Sequence, residues 1–160
     1  MLIRAATDGD RDAIWGILAP MIAEGETYAL DRDMGREAAL AYWIAGDRET
    51  FVAEDGGRIV GTYFIRANQA GGGRHVCNCA YVTAADASGK GVARQMHAHS
   101  LDVARGYGYR AMQFNFVISS NERAVRLWQS LGFEIVGRLP SAFESPTKGP
   151  VDALVMYRAL

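Results

Sequence analysis

Neither sign of charge predominates in this chain: 17 lysines and arginines stand against 18 aspartates and glutamates, a formal net charge of −1. The charges are spread rather than blocked, so there is no electrostatic footprint for nucleic acid or an anionic membrane. No apolar run approaches the roughly 20 residues needed to cross a bilayer. The N-terminal MLIRAATDGDRD also lacks the apolar stretch and cleavage pattern of a signal peptide. The expectation is a cytoplasmic chain without a membrane or nucleic-acid partner. Cysteine is scarce, with only Cys77 and Cys79. Two apart on one strand, they point to the same face and are poorly placed to bridge each other. No second ligand pair stands at a usable spacing, so no metal site is expected. Proline is scarce too: Pro20 falls late in a helical pattern, and Pro140, Pro146 and Pro150 cluster in one segment. There is no internal repeat and no low-complexity tract.

What is present fits one domain, residues 1–160, with 49% apolar and 22% charged residues. Leu2–Ala5 reads as a strand. Thr7 or Asp8 then caps a helix whose apolar positions Ala13, Ile14, Ile17, Leu18 and Met21 keep helical spacing. Pro20 is expected to kink or shorten it. Gly35–Ile44 gives a second helix. Thr50–Glu54 and Arg58–Arg66 form a hairpin about Asp55-Gly56-Gly57. A strand over Arg74–Thr83, a helix over Gly89–Gly106, a strand over Arg110–Val117 and a helix over Ser120–Leu131 follow. Phe133–Gly137 and Val151–Arg158 close the chain as strands, with the three prolines marking a loop between them. The fold class is α+β, a central mixed twisted sheet of about seven strands with about four helices.

The densest chemical signal is Val82–Ala93, VTAADASGKGVA, where an apolar strand passes through a short loop straight into a helix. Gly89 and Gly91 remove side chains that would hold a ligand off the backbone. The first N–H groups of a helix lack internal partners and lie at the positive end of its dipole. Together they suit a phosphate or pyrophosphate. A nucleotide-binding phosphate loop does not fit, because Ala84 stands where its first glycine belongs and Gly91 where Ser or Thr should follow Lys90.

Ser88, Gly91 and Ala93 within SGKGVARQM, followed by Asn121–Phe133, NERAVRLWQSLGF, resemble the two signatures of the GNAT superfamily of acyl-CoA-dependent N-acyltransferases. The order of elements around both agrees over almost the whole chain. The resemblance implies a GNAT-like fold in which two parallel central strands splay and the donor's pantetheine arm lies between them. It implies acetyl-CoA as donor cosubstrate and no metal. Backbone groups of Val82 and Thr83 would pair with pantetheine amides, as in strand addition. The N–H groups of Gly89, Lys90, Gly91, Val92, Ala93 and Arg94 would hold the pyrophosphate, with Asn121 on the arm and Trp128 flanking the thioester. Ser88 departs from the family's Arg or Gln, and Lys90 can partly compensate as a point charge.

The catalytic residues are less plainly written. Acyl transfer needs the amine deprotonated, the oxyanion stabilised and the thiolate released. Where many relatives carry a tyrosine acid, this chain has Trp128, whose indole donates a hydrogen bond but no proton near neutral pH. No carboxylate lies on Arg74–Thr83. Alternation puts His75, Cys77, Cys79 and Tyr81 on one face and Asn78 on the other. Asn78 and Asn115, each a polar interruption among apolar neighbours, are the candidates for orienting an amine or polarising the thioester. If buried, each must otherwise be satisfied by backbone. Tyr81 is a third candidate, as an acid or a core aromatic. His97 and His99, inside a helix, read as structural. Glu26, Thr27 and Tyr28 suit an acceptor-lining loop, although a solvated loop explains Glu26 better, and Ala142-Phe143-Glu144 could close over the acceptor.

The segment MQFNFVISSNERAVRLW is similar to a subgroup that includes fungal acetyltransferases of proline analogues. That similarity implies a small amino acid or analogue as the amine, with a phosphinothricin-type acceptor as rival. The family also makes a homodimer possible. The alternative function is a catalytically silent acyl-CoA sensor.

Overall fold

A computed structural model describes residues Met1–Leu160. Its strands are β1 (Leu2–Ala5), β2 (Glu49–Asp55), β3 (Arg58–Ala67), β4 (Val76–Thr83), β5 (Ala111–Ile118), β6 (Glu134–Ser145) and β7 (Gly149–Ala159). Its helices are α1 (Arg11–Glu24), α2 (Arg36–Trp43), α3 (Val92–Gly106) and α4 (Glu122–Ser130). The strands make one seven-stranded sheet in the order β1-β2-β3-β4-β5-β7-β6. Every neighbouring pair is antiparallel except the central β4 and β5.

Side-chain alternation on the strands builds a core on each face. Cys77, Cys79 and Tyr81 of β4 pack with Val92, Met96, Leu101 and Ala104 of α3, and Val125 and Trp128 of α4, with Leu131 just after it, lean on the same cluster. Ala80 and Val82 of β4 turn the other way, onto Ile14, Ile17 and Leu18 of α1 and Leu40 and Trp43 of α2. That second core reaches only β2, β3 and β4. The β5 side of the same face is left uncovered. The two cysteines are buried free thiols.

Two expectations drawn from proline need correction. Pro20 lies inside α1, which continues to Glu24 and ends on Gly25 with φ of 71°. Pro20 and Gly16 are both exposed, so the carbonyl that loses its partner faces water. The predicted loop between the last strands is instead a long β6–β7 hairpin that contains Ala142, Phe143 and Glu144. Pro140 falls at the register shift between Leu139 and Phe143 of an edge strand, Pro146 in the turn, and Pro150 near the start of β7. These are the places where a sheet tolerates a missing donor. No helix is long and apolar enough to cross a membrane.

Candidate active site

The site begins with a parallel pair that comes apart. β4 and β5 pair only at Val76–Ala111 and Cys77–Met112. One residue later the side chain of Asn78 takes over from the ladder, its Nδ2 donating to the Gln113 carbonyl at 2.9 Å. Beyond that point the strands diverge.

The register on the other side of β4 decides which backbone groups face the gap. Ala84 N–H donates to Val60 O and Asn68 N–H to Val76 O, and the β3–β4 register between them is unbroken. In such a ladder alternate residues bond to one neighbour, and the rest turn to the opposite edge. Even-numbered residues of β4 therefore serve β3, while Tyr81 and Thr83 present their backbone to the gap. The backbone of Thr83 thus faces the gap, whereas that of Val82, expected to do the same, does not. Val82 instead bonds across to β3 and contributes only its side chain. The cavity over the gap measures about 1020 Å³ and is lined by the C-terminal part of α1, by Glu26 and Thr27, by Tyr81–Thr83, by the start of α3 and along α4.

At one end of the cavity lies the loop into α3. Gly89 and Gly91 have φ of 81° and 79°, the left-handed region that favours glycine. A Cβ at Gly91 would meet nothing within 4 Å, and one at Gly89 would stand 3.4 Å from the Arg123 guanidinium. Gln95 makes the first bond into the helix, to Gly91 O. The N–H groups of Gly91, Val92, Ala93 and Arg94 precede it and are ready for an anion. Ser88, Gly89, Gly91, Val92, Ala93 and Arg94 all line the cavity. Lys90 does not. Its side chain is exposed away from the lining and its N–H is spent within the turn on Ala87 O. The compensating charge comes instead from Arg94, Arg123, Arg126 and Lys148, all in the lining. The last three escaped sequence reasoning because charge on an amphipathic helix or a turn normally faces water.

α4 supplies the opposite wall. Asn121 caps it, its Oδ1 accepting from the Ala124 N–H at 3.2 Å, so only its Nδ2 is left for a ligand. Trp128 leans against Tyr81 with ring centroids 5.2 Å apart and meets Phe114 edge-on.

The three catalytic candidates are not brought together in the cavity. Tyr81 lines it, but its hydroxyl bonds Ser100 Oγ at 2.7 Å inside the α3 core. Burial pushes that phenol well above its ordinary acidity range. Tyr81 is thus a core aromatic and not a poised acid. Beside it, His97 accepts from Arg158 at Nε2, 3.1 Å away. That leaves its Nδ1–H directed to the Tyr81 hydroxyl at 3.4 Å. Burial and the Arg158 charge lower the His97 pKa to about 4.

Asn78 is half-buried and satisfied by backbone. Asn115 is exposed rather than buried, donating to Asn68 Oδ1 at 2.7 Å and accepting from Gln113 Nε2 at 2.9 Å. The reason is the short reach of α1 and α2, which leaves β5 uncovered on that face. Asn78 and Asn115 both stand outside the cavity lining, on the face opposite Tyr81 and Phe114.

The α1–α2 loop is tied down rather than solvated. The Glu26 carboxylate accepts from Ser145 Oγ and Thr147 Oγ1, each at 2.7 Å. These bonds hold its pKa below the ordinary range. They clamp the loop to the β6–β7 turn, and Thr147 and Lys148, not Ala142–Glu144, reach the cavity. Two residues on, the Tyr28 hydroxyl donates to Tyr81 O at 3.0 Å and accepts from Tyr81 N–H at 2.9 Å.

A parallel pair splayed over an anion-ready helix N-terminus, with four cations nearby, is a geometry that suits an extended phosphate-bearing ligand. The chain belongs to the acetyltransferase (GNAT) family, which matches it over residues 17–133. It is 26% identical over 151 residues to the N-acetyltransferase aca1 of Schizosaccharomyces pombe, across 84% of this chain and 72% of that one. A GCN5-related N-acetyltransferase from Kribbella flavida is 40% identical and superimposes with a TM-score of 0.94, covering 99% of this chain and 97% of its own. YncA of Salmonella typhimurium, solved with its cofactor acetyl-CoA, is 25% identical with a TM-score of 0.85, covering 100% and 94%.

Proposed function

We propose that this chain moves an acetyl group from acetyl-CoA to the amine of a small metabolite, an amino acid or an analogue of one. The observation that carries this reading is that a single cavity joins the free strand edge at Thr83, next to the Tyr81 backbone capped by Tyr28, to the unpaired N–H groups from Gly91 to Arg94. The residues present fit the donor. Thr83 offers backbone N–H and C=O to an amide-bearing arm, as an added strand does. The α3 N-terminus takes a pyrophosphate, and Arg94, Arg123 and Arg126 add charge around it. Bound there, acetyl-CoA supplies a thioester open to direct attack by an amine. Trp128 shields the reacting end from water, and Asn121 Nδ2 remains free for the arm. In this reading Asn115, exposed on the uncovered face of β5, is left to orient the acceptor, with water carrying away its proton, while Asn78 serves the strand pairing. The tie between Glu26 and the β6–β7 turn narrows the mouth, which favours a small amine over a polymer. The acetyl-CoA held by YncA and the N-acetyltransferase name of aca1 support the same class of reaction.

The test is thiol release from acetyl-CoA over amino acids, proline analogues, phosphinothricin, polyamines and a lysine peptide. Release with one small amine, lost in Gly91→Glu, is expected. Tight acetyl-CoA binding with no release from any amine would point instead to the silent sensor.

A further inference from the structure

The Tyr81 peptide is where the site's polarity is concentrated. β4 has lost its neighbour there, so its N–H and C=O would lie unpaired where Tyr81 lines the cavity, a costly arrangement. One phenol repairs both losses. The Tyr28 hydroxyl lies 2.9 Å from the N–H and 3.0 Å from the carbonyl. Its ring is held edge-on against Trp43, with centroids 6.3 Å apart. The loop that carries it is fastened two residues earlier through Glu26. Few side chains here could give a hydrogen bond to a group arriving in the gap. The Tyr81 hydroxyl is turned into the α3 core and Asn78 is spent on Gln113.

We propose that Tyr28 is a catalytic residue, whose hydroxyl joins the Tyr81 N–H in binding the thioester carbonyl oxygen and in stabilising the oxyanion that forms on it. This rests on the donor lying along the free edge of β4, as proposed above. A carbonyl oxygen at the inner end of that edge accepts from the Tyr81 N–H. The phenol, relieved of that bond, turns its hydrogen from Tyr81 O to the same oxygen. The amine lone pair adds to the carbonyl carbon, and the C=O π electrons move to oxygen between the two donors. The C=O bond then re-forms, the C–S bond breaks, and the thiolate leaves with its electron pair. The nitrogen loses its extra proton to water, so amide, thiolate and hydronium balance the starting amine, thioester and water. Burial raises the pKa of Tyr28 far above neutrality, so the phenol stays protonated through the cycle and acts as donor, not base.

The test replaces only the hydroxyl, in Tyr28→Phe, which keeps the ring on Trp43. Removing one donor of an oxyanion pair typically lowers kcat about 100-fold or more. That drop is expected with the acetyl-CoA dissociation constant within about threefold. A second readout needs no acceptor: the infrared carbonyl band of acetyl-CoA labelled with carbon-13 at the thioester. It should lie at lower wavenumber on the native protein than on Tyr28→Phe, and lower still with 3-fluorotyrosine at position 28, a stronger donor of nearly the same shape. A band unmoved by either change overturns the proposal. So does a Tyr28→Phe enzyme that binds acetyl-CoA more tightly with kcat intact, which would make the phenol a mere plug. Failure of the native protein to bind acetyl-CoA would instead remove the donor assignment beneath both.

Discussion

At Asn78 and Asn115 the same residue type meets two different environments, and the difference separates structure from chemistry. Asn78 replaces a lost rung of the β4–β5 ladder. Removing its amide leaves the Gln113 carbonyl unpaired, so Asn78→Ala should cost about 1–3 kcal/mol in urea unfolding. Asn115 is exposed and bonded only to the half-buried side chains of Gln113 and Asn68. Asn115→Ala should change stability by less than about 0.5 kcal/mol. A fall in kcat without a fall in stability would place Asn115 in acceptor binding, and an unchanged kcat would leave it a surface residue. Sequence alone marked both as polar interruptions but not which was covered, because burial of β5 depends on how far α1 and α2 reach. The glycines of the α3 loop were legible for a plainer reason: positive φ and open space are backbone requirements, which residue type reports directly. Lys90 misled because a charge next to a phosphate loop suggests contact, and the turn geometry points it away.

Among the elements, the β6–β7 hairpin was the hardest to see. Proline density argued for a loop, yet each proline sits at a bulge, in the turn or near a strand start, and only strand pairing reveals that. The hairpin matters because its turn is fastened to the α1–α2 loop. Ser145, buried, donates to Glu26 and accepts from the N–H groups of Thr147 and Lys148. Ser145→Ala therefore removes both the inter-loop bond and the turn's internal acceptor. Hydrogen exchange should accelerate at Thr147 and Lys148 and stay unchanged along β4. Uniform acceleration would mean that the turn is part of the global unfolding unit and not a separate clamp. The order of elements, the seven strands and the four helices were otherwise readable, since alternation and helical spacing are strong when each face has its own core.

For the molecule as a whole, acid stability should fall in two stages. His97 is buried beside Arg158, with its pKa lowered to about 4. Below its ordinary value near 6.5 the unfolded chain binds a proton that the folded one refuses. Its contribution is thus complete above pH 6.5 and is lost as pH falls toward 4, on the order of 3 kcal/mol. Asp10 acts lower down. Arg4 and Thr7 hold its carboxylate far below the ordinary range, so its contribution is present above about pH 4 and fades as pH drops further. Melting temperature followed from pH 7 to pH 3 should show both stages, and His97→Gln should remove the first alone. A curve unchanged by that variant would mean His97 takes up its proton in the folded state without penalty.

The central claim is that the cavity over the β4–β5 gap holds acetyl-CoA with its pyrophosphate at the start of α3. The most direct measurement is calorimetric titration of acetyl-CoA into the native protein, Gly91→Ala and Gly91→Glu, with melting temperatures for all three. Both variants carry the same strain of a side chain at positive φ, of about 1 kcal/mol, but only one places a carboxylate where the phosphates belong. Native binding, retained in Gly91→Ala and abolished in an equally folded Gly91→Glu, is the predicted result. Equal affinity in the two variants, or none in the native protein, would contradict the account.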